Sequence, residues 1–201
     1  MFDWRAIPWR YAGYAVVAAL LVQGVVLTTT AGWFRSVGAE SGPVEYVQQL
    51  LCATAVLLFA RSAVRRPELA DALVIAAYGA ALGVVRESDA LLDHIAYKGA
   101  YKVPAALLGT LALRRIWQSR ERLTMQLRLF AAQPSFVITA VGVLVVLVYA
   151  QIVGQKSVWM TVMGADYMRP VKDAAEELEE LLGYILVCVG ALDTYLTVRK
   201  W

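Results

Sequence analysis

The fold class that this 201-residue sequence predicts is an all-α integral membrane bundle of about six transmembrane helices, with both termini cytoplasmic. Three observations predict it: the composition, the spacing of the apolar runs, and the sign of the charges between them. The chain is 60% apolar and only 17% charged, whereas a soluble globular domain is about 45–50% apolar and about 25% charged. A water-soluble core of this size cannot hide so much apolar surface, which excludes a soluble enzyme and a disordered chain. Two cysteines, Cys52 and Cys188, both inside apolar runs, exclude a disulfide scaffold and read as small buried hydrophobes.

A crossing helix needs roughly 20 apolar residues, because about 30 Å of hydrocarbon is traversed at about 1.5 Å per residue. Residues 11–34 and 129–155 carry no charge at all. The runs at 46–60, 72–85, 103–113 and 181–192 are shorter and reach crossing length only by continuing into charged flanks. The expected helices are therefore 11–34, 43–61, 68–90, 101–118, 133–155 and 178–198, in one domain covering 1–201. The first reads as a span rather than a cleaved leader, being too long and without a small-residue cleavage site. Pro43, Pro104 and Pro134 stand near expected helix starts, where a missing N–H costs nothing. Between the fourth and fifth spans, 120–128 (RERLTMQLR) reads as a short amphipathic surface helix on anionic lipid. Gly79 and Gly83 form a small-xxx-small pair suited to close helix approach.

With the N-terminus inside, the inner segments carry Arg5 and Arg10; Arg61, Arg65 and Arg66; Arg114, Arg115, Arg120, Arg122 and Arg128; and Arg199 and Lys200. Most of the acids fall on the other side, so basic residues mark the cytoplasmic face at every crossing. Trp4, Trp9, Trp33, Trp117, Trp159 and Trp201 fall near the expected interfaces, where the indole is favoured. The expected location is the inner (plasma) membrane. The expected partners are the bilayer and either a membrane protein or a second copy; the basic excess records topology, not nucleic-acid binding.

The functional clue is a group of acids on the outer side. Glu45 opens the second helix, with Gln49 and Cys52 one and two turns on. If the third helix runs on through RESDALLDHIAYK, then Glu87, His94 and Lys98 share one stripe, and Asp89, Asp93 and Tyr97 a neighbouring one. The sixth helix adds Asp173, Glu177, Glu180 and Tyr184 on one stripe, with Glu176 beside it. Carboxylates near hydrocarbon are costly unless paired or ligating, so this group requires counter-charge. One expectation is a divalent metal ion, otherwise a cationic lipid headgroup, held where helices 2, 3 and 6 converge. Its ligands come from Glu45, Glu87, Asp89, Asp93, His94, Asp173, Glu176, Glu177 and Glu180. His94 would then act as general acid or base steered by Asp93 or Glu87, on a lipid-derived substrate. The alternative is a non-catalytic accessory subunit whose acids pair with Arg86, Lys98, Lys102 and Lys172 or dock a partner. A small transporter or channel is the third reading, and its polar path inward is interrupted between Tyr184 and Asp193. A single histidine excludes a three-histidine zinc centre within one chain. Absent Glu-x-x-His pairs disfavour a di-iron bundle. Asp193, inside the last span, calls for pairing with Arg199 or an inner arginine, and Asp71 reads as an N-terminal dipole partner.

Overall fold

The computed structural model describes Ile7–Thr30 and residues 43–198, and the regular structure among them is entirely helical. The end of the first expected span (31–34), together with Trp4, Arg5, Trp33, Glu40, Arg199, Lys200 and Trp201, lies outside the described residues. The long elements are α1 (Ile7–Thr30), α2 (Pro43–Arg65), α3 (Ala70–Arg86), α5 (Lys102–Ala131) and α9 (Arg169–Val198). A short α4 (Asp89–Ile95) follows α3. Helix α6 (Pro134–Leu144) passes through a π-helical turn (Val145–Tyr149) into α7 (Ala150–Val153), and α8 (Lys156–Met163) precedes α9. Pro43 and Pro134 each open a helix, as their missing N–H predicts. Pro104 sits in the first turn of α5.

Five helical stretches are long and apolar enough to cross a membrane: Trp9–Leu27, Val44–Arg65, Pro67–Arg86, Pro134–Val153 and Arg169–Thr197. The expected fourth span is not among them. Residues 101–118 belong instead to the 30-residue α5, which continues unbroken through the basic segment 120–128. That segment is therefore no separate surface helix. Ser119, Leu123, Gln126 and Phe130 repeat at helical spacing and are buried, which turns one face of α5 inward and leaves Arg120, Arg122 and Arg128 exposed.

Side-chain contacts fix the directions of the long helices. Gln48 of α2 meets Glu177 of α9, and Arg65 lies 4.7 Å over the Tyr195 ring, so α2 and α9 run parallel. Arg86 at the end of α3 reaches Tyr184, which makes α3 antiparallel to both. Asp71 at the start of α3 pairs with Arg115 at 2.6 Å and accepts from Gln126 at 3.2 Å, placing the second half of α5 at that end. Arg10 of α1 meets Asp193 near the end of α9, so α1 is antiparallel to α9. The bundle thus has a basic end, with Arg10, Arg65, Arg115 and Arg122, and an opposite, acidic end, with Glu87, Glu176, Glu177 and Glu180.

The main core gathers Ala55, Phe59, Leu69, Leu73, Phe130, Val187 and Ala191 near the basic end. Glycine governs how closely α6 approaches α9. A Cβ on Gly142 would stand 2.7 Å from the Gly183 carbonyl oxygen and 2.8 Å from the Val187 nitrogen, and one on Gly183 would stand 2.5 Å from Val146 Cγ2. The expected pair on α3 divides: Gly83 admits Cys52 Sγ and Tyr184, whereas Gly79 has no neighbour within 4 Å. Gly79 lies outside any close packing because it sits on the exposed side of α3.

The two buried acids at the basic end are fully engaged. Asp193 is 1% exposed, 2.8 Å from Arg10, and accepts from the Tyr14 hydroxyl at 3.1 Å. Its partner is thus an arginine of the N-terminal segment. Asp71 does more than face a helix dipole. It is buried, bridges to Arg115 and to Arg122 at 3.5 Å, and accepts from Gln126 at 3.2 Å.

Candidate functional site

At the acidic end, α2, α3, α7 and α9 bring a polar group together around Arg86. Its guanidinium forms a close ion pair with Glu180, lies 3.6 Å from Glu87, and donates to the Tyr184 hydroxyl at 3.3 Å. Tyr184 in turn donates to Glu87 Oε1 at 2.6 Å, and Gln151 of α7 donates to Glu180 at 3.3 Å. Gln49 of α2 donates to the Glu87 main-chain carbonyl. Both carboxylates are buried while the arginine is partly exposed. A planar guanidinium with five donors can serve two carboxylates at once, and a buried carboxylate without such a partner would be strongly destabilising.

Local backbone explains why Glu87 turns inward. Helix α3 does not run on through 86–98 as its sequence suggests. It ends at Glu87, and Ser88 directs its hydroxyl back to the Val84 carbonyl at 2.7 Å before α4 restarts at Asp89. Gln49 satisfies the carbonyl that this break releases. The break removes the stripe of Glu87, His94 and Lys98 and cuts Tyr97 from Asp89 and Asp93, which stay together on α4. Glu87 therefore no longer shares a helix with Asp89, Asp93 and His94. Asp89 is exposed and accepts from the Ala90 N–H at 2.6 Å. Asp93 accepts from the N–H groups of Gly99 and Ala100 at 2.8 and 3.1 Å, closing the turn in which Gly99 takes φ +87°. A positive φ of that size is readily adopted by glycine. His94 is exposed and makes no hydrogen bond or ion pair among the described residues.

The acids of α9 divide in the same way. Lys172 lies 3.0 Å from Asp173 and 2.7 Å from Glu176, with Arg169 also on Asp173 at 3.3 Å. Gly154 leaves room for the Glu176 carboxylate beside α7. Glu177 faces α2, where Gln48 donates to its carbonyl at 3.2 Å and to Oε2 at 3.3 Å. Glu45 lies within Coulombic reach of both Glu87 and Glu177. Lys98 and Lys102 are exposed and form no ion pair among the described residues.

The nine-residue ligand set is therefore not assembled. Among the described residues, no group of three or more His, Cys, Asp or Glu side chains is arranged to hold a metal ion. Physically, the break at Glu87 and the pairing of α9 acids along their own helix send the carboxylates to different partners. What does gather is Glu87, Glu180, Tyr184 and Arg86, with the Gln49 and Gln151 amides on them and Gln48 nearby on Glu177. Of these amides, Gln48 and Gln151 belong to no motif in the sequence. Their signal was an uncharged polar residue inside an otherwise apolar helix.

His94→Ala is expected to leave stability within about 0.5 kcal/mol of wild type, as for an exposed residue away from any packed feature. A detergent-phase unfolding titration checks this. Comparison of the chain with family models, with curated proteins and with solved structures finds no match.

Proposed function

We propose that the chain is a non-catalytic structural subunit of a membrane assembly, embedded in the inner (plasma) membrane with six crossings and both termini in the cytoplasm. Its acidic end acts as a self-contained ion-pair lattice that clamps the outer ends of the helices. One observation carries this reading: the buried carboxylates Glu87 and Glu180 take their counter-charge from Arg86 of the same chain. That pairing holds the two carboxylates without a metal or a headgroup.

The crossings are supported by five apolar stretches of sufficient length and by the alternating helix directions. The sixth is α5. It lies antiparallel to α3, is free of charge over residues 103–113, and has Arg115 paired with Asp71 just beyond that stretch. Its exposed Val103, Leu107, Leu113 and Trp117, like Val16, Val17 and Leu20 of α1, suit lipid or a neighbouring subunit. The Arg-rich end fits the cytoplasmic face.

Two measurements test the reading. A reporter fused after Trp201 should be cytoplasmic, while reporters inserted at Gly38 or Gly99 should be external; an external C-terminus overturns the topology. Chelation of divalent ions at neutral pH should leave the melting temperature of the purified protein unchanged. A lowered temperature that divalent ions restore would replace the lattice with a metal site.

A further inference from the structure

Beside the lattice, a buried amide and a half-buried carboxylate are left unbalanced. Gln48 is 0% exposed on α2, its Nε2 engaged by the carbonyl and Oε2 of Glu177, and its Oε1 has no donor. Turning the amide over does not cure this, because Oε1 would then confront two acceptors. The amide is therefore oriented by its surroundings, and a bare acceptor beside the carboxylate is the consequence.

Charge points the same way. Glu177 belongs to no ion pair among the described residues and lies within Coulombic reach of Glu180, Glu87 and Glu45. Arg86 is held by Glu180 and Glu87, and Lys172 by Asp173 and Glu176. The α2–α9 face thus has a carboxylate with no cation and an amide oxygen with no donor, side by side.

We propose that Gln48 Oε1 and the Glu177 carboxylate, facing each other across α2 and α9, bind a monovalent alkali-metal cation. Hard oxygen donors suit such an ion. One uncompensated carboxylate with a neutral amide oxygen balances a single positive charge, whereas a Ca²⁺ site draws on six to eight oxygens and usually several carboxylates. The ion joins α2 to α9 independently of Arg86, so this proposal goes beyond the lattice and does not depend on it.

The test uses the full chain in detergent, dialysed into choline chloride. Sodium or potassium chloride then replaces choline at fixed ionic strength, which removes the general screening effect on exposed ion pairs. A saturable rise in melting temperature of about 3–6 °C is expected for one or both alkali ions, following mass action on the folded state. Glu177→Gln and Gln48→Leu should each abolish that rise, and Asp89→Asn should retain it. Broadening of the ²³Na resonance by wild type, and its loss with Glu177→Gln, reads binding directly and does not depend on the melting of either variant. Equal melting in choline, sodium and potassium overturns the proposal, leaving a proton or a water at the pair. A chelator effect would overturn the lattice reading alone, since chelators of divalent ions do not remove sodium.

Discussion

Arg86→Met should be among the most damaging single substitutions at the acidic end, lowering the unfolding free energy by about 2–4 kcal/mol. The reason is what it leaves behind. Glu87 and Glu180 have side chains only 6% and 3% exposed, and removing one partner of a buried pair costs about 3–5 kcal/mol because the remaining charge is uncompensated. The expected value is lower here because the Arg86 side chain is itself 41% exposed, so water already shares in solvating the network. Hydrogen bonds from Gln151 and Tyr184 to the two carboxylates also survive the change. Arg86→Met combined with Glu180→Gln should recover part of the loss, since the double variant removes charge from both sides. Denaturant titration of the detergent-solubilised protein measures both. Strict additivity of the two single changes would separate Arg86 from Glu180 and dissolve the lattice.

Gly142→Ala should cost about 2–3 kcal/mol although it adds a single methyl group. In an ordinary helix interior, replacing glycine by alanine is favourable by roughly 0.5–1 kcal/mol. At Gly142 the new Cβ would meet the Gly183 carbonyl oxygen at 2.7 Å and the Val187 nitrogen at 2.8 Å. Backbone atoms of a helix cannot rotate aside, so α6 must move away from α9, with overpacking costs of about 1–3 kcal/mol or more. Gly109→Ala in α5 is the control: nothing lies within 4 Å of its Cβ position, and it should be neutral or stabilising. A Gly142→Ala protein that unfolds like wild type would mean that the two helices do not pack through this glycine. Because Gln151 reaches Glu180 from beyond the π-turn, loosening α6 should also weaken the acidic-end lattice.

The helices, their proline starts and the opposed charge of the two ends were legible in the sequence, because each depends on neighbours along one chain. Apolar run length sets whether a helix can be buried, and proline acts through its own ring and missing N–H. The same logic found Glu45, Glu87, Glu177, Glu180, Tyr184 and Arg86 as one polar region. It could not find their partners. Whether Glu180 meets Arg86 or a metal depends on the rotation of α9 about its axis, and that rotation is set by Gly142 and Gly183 meeting across the α6–α9 contact. The interruption after Arg86 was equally hidden, since residues 86–98 have a helical pattern throughout. Only tertiary structure supplies Gln49 to take up the freed Glu87 carbonyl, which turns the carboxylate into the bundle and leaves His94 outside it. Local periodicity determined which residues share a helix face. Close packing between helices decided which of those faces meet, and hence which charges are neutralised.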